Sequence, residues 1–230
     1  MKPTLIKAGI AASLALLAYI LPRVENIQLT RWQNYYTFAG WVVSILLFSA
    51  GVLVATHWHV PGIRSIGQSL RENKWEALTI IGLFLLALFL RIYKLEQIPY
   101  PFLKDEAWVG REALAILDGS FSNLFQPGWQ VDPLLNSAPM ALSIRIFGNT
   151  IFGSRLAPVL FGTFTVILLY FLTRSMFDKL TAFLAALCMA AIPPHIHFSR
   201  MGVSNITVAF WACFVFWLTS SIVPMPQLGW

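Results

Sequence analysis

Residues 156–173, LAPVLFGTFTVILLYFLT, form an uncharged run that lies between Arg155 and Arg174. An α-helix rises about 1.5 Å per residue, so about 20 apolar residues cross the hydrocarbon core of a bilayer. The run approaches that length and has a cation at each end. It therefore predicts a membrane-spanning helix, and the chain around it has the same character.

Composition places the whole chain in the membrane class. Hydrophobic residues make up 57% of its 230 residues and charged residues 11%, with a mean hydropathy of +0.69. Soluble domains carry about 25% charged residues, because a protein surface in water needs them. The sequence thus excludes a soluble globular domain and predicts an all-α polytopic membrane protein.

Six apolar runs have roughly the length that a membrane-spanning helix needs. They cover residues 4–22, 36–56, 76–93, 156–173, 180–194 and 206–223. The fifth run ends at Pro193-Pro194, which leaves its boundary open. The first run, preceded by Lys2 and Lys7, also resembles a signal peptide, but no clear cleavage site follows it. We expect it to be a retained helix.

Positive charge predicts the orientation of these helices, because Lys and Arg concentrate in short cytoplasmic segments. A cytoplasmic N-terminus places three basic segments inside, namely the N-terminus itself, residues 57–74 and residues 174–179. Residues 94–155 then form a large outer loop. Lys and Arg at the cytoplasmic ends of membrane helices account for the positive net charge of +6. No Lys/Arg-rich run indicates a nucleic-acid partner.

This topology divides the chain into two predicted parts. Residues 1–74 hold two spans and a cytoplasmic loop, and residues 75–230 hold the remaining spans with the outer loop 94–155. Residues 134–147, LLNSAPMALSIRIF, are apolar but short and contain Arg145. We predict that they form a helix at the outer interface rather than a further span.

The outer loop contains the candidate chemistry. The third span ends at Arg91, Pro99 and Pro101 exclude a continuing helix, and Asp105-Glu106 opens a new helical pattern. The pattern predicts an apolar stripe of Ala107, Gly110, Leu114 and Leu117, with a helix end at Gly119. Asp105 is favoured as a helix N-cap. Placed beside a bilayer, its carboxylate is also suited to take a proton from an acceptor hydroxyl or amine.

Two strings carry a family resemblance. RIYKLEQIPYPFLKDEAWVGREALAILDG at residues 91–119 resembles the first outer loop of the family 39 glycosyltransferases, the bacterial relatives of the protein O-mannosyltransferases, which include enzymes that glycosylate lipid A. FGNTIFGSRLAPVLFGTFTVILLYFLTRSMFDKLTAFLAALCMAAIPPHIHFSR at residues 147–200 is similar to the next stretch of that family. In this second string, as in the family, an FG turn and an Arg-Leu-x-Pro helix lead to a Ser-Arg pair outside the membrane.

The resemblance implies a GT-C helical bundle with interfacial helices in its first outer loop. The implied reaction moves a hexose or pentose, with inversion, from a polyprenyl phosphate to an acceptor outside the bacterial inner membrane. The acceptor would be a lipid, a glycan or a protein of the cell envelope. No cofactor and no metal are implied.

Site residues carry over by position. Asp105 matches the family's catalytic base and Glu106 its acidic neighbour. Arg200 matches the Arg of the second outer loop, near the donor phosphate, and a guanidinium suits phosphate because it binds two oxygens. His197, in PPHIHFSR, is a second candidate for the donor phosphate. An interfacial position is the alternative for both, and a metal shared by His195 and His197 would require extended backbone.

Departures from the family pattern limit these expectations. No acidic residue follows Ser199-Arg200, which weakens a metal-dependent mechanism. Family members are about twice as long, so the chain is expected to be an N-terminal fragment that is inactive alone. A transporter component and a non-catalytic assembly protein are the alternative functions. The scarcity of charge within the spans argues against a conduction path.

Overall fold

The computed structural model describes residues 16, 39–40, 42–47, 73–121 and 123–222. From residue 73 onward these residues form helices, 3₁₀ turns and loops, and the described part of the chain contains no β-strand. The α-helices are α1 (Lys74–Ile92), α2 (Lys104–Asp118), α3 (Ala138–Phe147), α4 (Ile151–Met176), α5 (Lys179–Ala191), α6 (Pro193–Ser199) and α7 (Asn205–Ile222).

Four of the six predicted spans fall on described helices. The third, fourth, fifth and sixth correspond to α1, α4, α5 and α7. Of the second predicted span, residues 39–40 and 42–47 are helical, and its remainder lies outside the described residues. The first predicted span also lies outside them, apart from Leu16.

Length and composition qualify α1 and α4 as membrane-crossing helices, and α5 with α6 form a third candidate that is bent by 60°. The described part of α7 belongs with the shorter apolar helices. The prediction of an all-α membrane protein is therefore confirmed, with two or three candidate spans among the described residues.

The bend between α5 and α6 follows from the sequence. Pro193 is the first residue of α6, and Ile192 before it has extended backbone angles of φ −65° and ψ 122°. Proline has no N–H to donate and disfavours helical angles in the residue before it. Helix α5 therefore ends at Ala191, and α6 begins at Pro193 in a new direction.

The chain divides into two compact units, residues 1–68 with 115–138 and residues 69–114 with 139–230. Within the described part of the first unit, the loop after α2 is held by an isolated bridge between Pro127 and Pro133. Two 3₁₀ turns follow in this loop, Trp129–Val131 and Leu134–Ser137.

In the second unit, α4 packs against α1, α5, α6 and α7. Its core includes Tyr170 of α4, Leu83 of α1, and Ala182, Ala186 and Ala190 of α5. The three alanines recur every four residues and therefore lie on one face of α5. Small side chains at a membrane-helix interface allow the backbones to approach closely, which explains the packing of α5 against α4 and α1.

Charged clusters mark opposite ends of the antiparallel helices α1 and α4. Near the start of α1, Glu76 accepts a hydrogen bond from Tyr170 and forms ion pairs with Arg174 and Lys179 at 3.3 and 2.7 Å. Near its other end, Arg155 donates to the Leu95 carbonyl. The 19 residues of α1 span about 28 Å, close to the thickness of a bilayer's hydrocarbon core.

Three predicted features of the outer loop lie within the described residues. The predicted helix over 134–147 is a 3₁₀ turn followed by α3, and Gly119, at φ +81°, ends α2 as expected. In the predicted apolar stripe of α2, Ala107 is exposed and the other three residues are half-buried. The fully buried face carries Glu106, Val109, Glu112 and Ala113. The buried ion pair of Glu106 with Arg155 turns that face inward. A search for apolar residues does not detect such a pair, because its members are charged.

Candidate functional site

The first turn of α2 is held by the side chain of its own third residue. Leu103 occupies the N-cap position, because its carbonyl accepts the hydrogen bond of Ala107 N–H at 3.1 Å. The Glu106 carboxylate accepts a hydrogen bond from the Leu103 N–H at 3.0 Å. This is the glutamate half of a capping box, which satisfies an N–H that the helix leaves free. Asp105 is therefore in the first turn and is not the N-cap that the sequence predicted.

A buried ion pair fixes Glu106. Its two oxygens accept from Arg155 Nε and Nη2 at 2.8 and 2.9 Å, and the side chains of Arg155 and Glu106 are 1% and 0% exposed. The geometry is a bidentate arginine–carboxylate pair, in which two parallel hydrogen bonds set both distance and orientation. Arg155 Nη1 also donates to the Leu95 carbonyl at 2.9 Å.

The same carboxylate binds the segment that follows Arg200. The Gly202 N–H donates to Glu106 at 2.7 Å. A Cβ at residue 202 would lie 3.4 Å from that Glu106 oxygen and 3.2 Å from the Met140 side chain. Glycine therefore suits this close approach. Glu106 thus ties α2, α4 and the 200–204 loop together.

These contacts determine the ionisation of Glu106. Burial raises the pKa of its carboxyl, but the Arg155 hydrogen bonds, those from Leu103 and Gly202, and the Arg155 charge together outweigh burial and lower it below the ordinary glutamate value. The charged form is favoured. Because every partner is a donor, Glu106 is suited to fixing structure and poorly suited to taking a proton.

Asp105 differs from its neighbour in each of these respects. Its side chain is exposed, one residue away from the buried Glu106. Phe102 and Trp108, both 37% exposed, lie on either side of it in the sequence. An exposed carboxylate therefore stands on the turn that Glu106 holds, and Trp108, three residues further along α2, is of a residue type that favours the membrane interface.

Arg200, the predicted phosphate ligand, is largely occupied by backbone. It is 7% exposed, and its guanidinium donates to the carbonyls of Leu90, Tyr93, Lys94 and Ile98 at 2.6–3.3 Å. Cations near a helix C-terminus satisfy its free carbonyls and oppose its dipole. In this structure Arg200 holds the end of α1 and the loop after it.

The predicted histidine candidate His197 is exposed, and its ring packs edge-on against Phe198 at 5.7 Å. His195 is turned inward, and its Nδ1 lies 2.7 Å from Arg91 Nη2. Since a guanidinium only donates, Nδ1 is the acceptor and the ring proton is on Nε2. Both histidines lie in helical α6, so the extended backbone that a shared metal would need is not present.

Sequence reasoning missed Arg91 and Arg155 as organising residues. Arg91 is fully buried and donates to Ser199 Oγ at 3.2 Å and to the Ala87 carbonyl at 2.9 Å. Its position in the last turn of an apolar helix was a signal, because a cation there must find partners within the protein. Arg155 was interpreted only as the boundary of a span.

No group of three or more His, Cys, Asp or Glu side chains suited to a metal ion occurs among the described residues. The candidate site is therefore a carboxylate and guanidinium arrangement. It joins the first turn of α2, the start of α4 and the loop at 200–204.

Comparison with known families concerns the part of this site that lies at the start of α4 and in the loop at 200–204. Residues 131–230 match the model of the family described as dolichyl-phosphate-mannose-protein mannosyltransferase. This segment is similar to a GT-C glycosyltransferase. The match includes Arg155, Arg200 and Gly202, whereas Asp105 and Glu106 precede it. No curated protein and no solved structure matches the chain.

The match supports the resemblance inferred from the sequence, in general terms. It supports a glycosyltransferase that uses a sugar linked to a polyprenyl phosphate, and the apolar helices support a membrane protein. The mannose donor and protein acceptor in the family's description are properties of that family.

Proposed function

We propose that the protein transfers a hexose or pentose from a polyprenyl-phosphate donor to an acceptor at the outer side of a bacterial inner membrane. Transfer proceeds with inversion, and Asp105 is the general base. The observation that supports this proposal is the contrast between two adjacent acids. Glu106 is buried and fully hydrogen-bonded, whereas Asp105 is exposed on the turn that Glu106 holds.

A rigid turn matters because a general base must lie within hydrogen-bond distance of the proton that it removes. The acceptor hydroxyl or amine then attacks the sugar carbon while its proton passes to Asp105. The bond from that carbon to the donor phosphate breaks, and the phosphate leaves with its lipid. Attack opposite the leaving group inverts the sugar carbon.

The other predicted site residues have different roles in this proposal. Glu106 and Arg200 are positioning residues, since one fixes the turn that carries Asp105 and the other holds the loop before it. His197 is exposed on α6 and is the predicted residue whose side chain is free to approach a donor phosphate from water.

The charged clusters at the two ends of α1 support the proposed orientation. Arg174 and Lys179 belong to the cluster at Glu76, and the positive-inside rule assigns such short basic segments to the cytoplasm. The Arg155–Glu106 pair lies near the opposite end of α1, about 28 Å away. It therefore belongs to the outer interface, with Asp105 beside it.

The proposed function is tested by sugar transfer from a polyprenyl-phosphate donor in membranes that contain the protein. Asp105→Asn is expected to lower the rate at least about a hundredfold, the usual contribution of a general base. The matched control is Glu96→Gln, which neutralises an exposed acid of the same loop and is expected to keep the wild-type rate. Equal rates for Asp105→Asn and wild type would favour a non-catalytic assembly protein or a transporter component.

A further inference from the structure

A cavity lies where α1 and α5 begin, at the end of α1 opposite to the candidate site. Its volume is about 390 Å³, and its walls include Trp75, Glu76 and Thr79 of α1, Tyr170 of α4, and Lys179 and Leu180 of α5. All of these residues belong to the second compact unit. Trp75 and Leu180 are 81% and 66% exposed. The cavity is therefore charged at Glu76 and Lys179 and is bordered by exposed apolar side chains.

The position of the cavity along α1 places it at the surface of the bilayer. α1 is long and apolar enough to cross the membrane, and Trp75 is its second residue. The end of a membrane-crossing helix lies at the level of the lipid head groups, where Trp, Lys and Arg are common. A ligand of this cavity is therefore drawn from the head-group region of one leaflet.

Two cations share the single carboxylate of the cavity. Glu76 lies 2.7 Å from Lys179 Nζ and 3.3 Å from Arg174 Nε. Its oxygens also accept hydrogen bonds from the Tyr170 hydroxyl and the Asn73 side-chain amide, each at 3.0 Å. With four donors around it, Glu76 is committed to contacts within the protein.

Both cations keep N–H donors for a further ligand. An ammonium group has three such donors and a guanidinium has five. Within the described part of the chain, Lys179 donates to Glu76 alone, and Arg174 Nη2 has no acceptor. The two side chains are 48% and 38% exposed.

The charges around the cavity sum to a positive value. The charged residues of segments 73–76 and 174–179 are three cations and two carboxylates. Of the carboxylates, Glu76 is held by its four donors, and Asp178 caps α5 by accepting from the Thr181 N–H at 2.7 Å. The cavity thus presents net positive charge and free N–H donors, which suit a ligand with anionic oxygens.

We propose that this cavity binds the head group of an anionic phospholipid, at a site separate from sugar transfer. The phosphate accepts hydrogen bonds from Lys179, and Arg174 adds positive charge beside it. The acyl chains then run along the exposed apolar surface that includes Trp75 and Leu180. Basic pockets between membrane helices are where anionic head groups bind. A free phosphate ion would gain nothing from the apolar border, and the ammonium of a zwitterionic lipid would lie among cations.

The test is native mass spectrometry of the full chain in a non-ionic detergent, titrated with phosphatidylglycerol or with phosphatidylcholine of the same acyl chains. Phosphatidylglycerol is expected to bind more tightly. Lys179→Gln is expected to weaken its binding about fivefold, the loss expected when one basic side chain near an anionic lipid is neutralised. Lys179→Arg is expected to keep the affinity, since a guanidinium also donates to phosphate. Arg145→Gln, which removes an exposed cation of α3, is the matched control and should bind like wild type.

A second variant tests the cavity without disturbing the ion pairs of Glu76. Leu180→Glu places a negative charge in the wall and is expected to weaken phosphatidylglycerol binding at least as much as Lys179→Gln. Thermal unfolding of each variant in lipid-free detergent shows whether it remains folded. Asp105→Asn is expected to keep full lipid affinity while it loses sugar transfer, so the lipid site and the proposed base fail independently.

Several results would overturn the inference. Wild-type affinity for phosphatidylglycerol in both Lys179→Gln and Leu180→Glu would show that the lipid binds elsewhere. Equal affinity of the wild type for the two lipids, or an equal loss in Arg145→Gln, would show that the cavity does not select an anionic head group. Displacement of the lipid by glycerol 3-phosphate alone would assign the cavity to a soluble phosphate compound.

Discussion

At the level of single residues, the two neighbouring acids of the candidate site have different environments. Glu106 accepts hydrogen bonds from Arg155, Leu103 and Gly202 and is buried, so its oxygens are committed to structure. Asp105 points to the exposed side of the same turn. The family resemblance assigned Asp105 as the base and Glu106 as its acidic neighbour, but an Asp-Glu pair at a helix start does not itself indicate which member turns inward.

Arg155→Met is expected to destabilise the protein by about 3–5 kcal/mol, because it leaves the Glu106 carboxylate buried without its counter-ion. The measurement is chemical denaturation in detergent, followed by tryptophan fluorescence. Adding Glu106→Gln removes the stranded charge and is expected to restore part of the loss. If the double variant is no more stable than Arg155→Met, the ion pair is not the interaction that was lost.

The stability of the protein is expected to fall in acid through Glu106. Its pKa in the folded chain is below the ordinary glutamate value of 4.5, so its stabilisation is present above that value and is lost as the pH falls through the folded pKa. Unfolding midpoints between pH 3 and pH 7 test this. Glu106→Gln should be less stable near neutral pH and should show a flatter pH dependence, whereas an unchanged slope would assign the acid sensitivity to other groups.

At the level of helices, the packing of α4 against α6 depends on one glycine. A Cβ at Gly162 would fall well within contact distance of the Ser199 side chain, which itself binds Arg91. The sequence indicated two helices and a proline break but not this crossing. Helices that meet across many residues of intervening chain leave no local pattern for the contact.

Gly162→Ala is expected to destabilise the protein by about 1–3 kcal/mol, since the added methyl group forces Ser199 or the helix aside. Gly82→Ala is the control, because no atom lies within 4 Å of its added Cβ. That substitution is expected to be neutral or slightly stabilising, as alanine is a better helix former than glycine. Thermal unfolding of the two variants compares them, and equal midpoints would show that α4 and α6 tolerate a wider separation.

At the level of the whole molecule, hydropathy and charge predicted the membrane class, the positions of α1, α4, α5 and α7, and the helix that begins near Asp105. These follow from local rules of length, apolar content and helix termini. Hydropathy and charge did not indicate the partners of Arg91, Arg155 and Arg200. Their contacts with Ser199, Glu106 and Leu90 join residues 49 to 110 positions apart, and single-sequence patterns carry no signal for them.

The orientation of the molecule decides whether Asp105 can meet a lipid-linked donor outside the membrane. The two charged clusters lie at opposite ends of α1, so the Glu76 cluster and the Glu106 cluster must face opposite sides of a bilayer that α1 crosses. Fixing one side therefore fixes the other. A pair of single-cysteine variants reports on both ends.

The most direct measurement is labelling of Asp105→Cys and Lys179→Cys in intact cells by a membrane-impermeant maleimide. Both variants are made in a background in which Cys188 and Cys213, the two native cysteines, are alanine. We predict that residue 105 is labelled in intact cells, whereas residue 179 is labelled only after the membrane is permeabilised. Labelling of residue 179 in intact cells, with residue 105 protected until permeabilisation, would contradict the account.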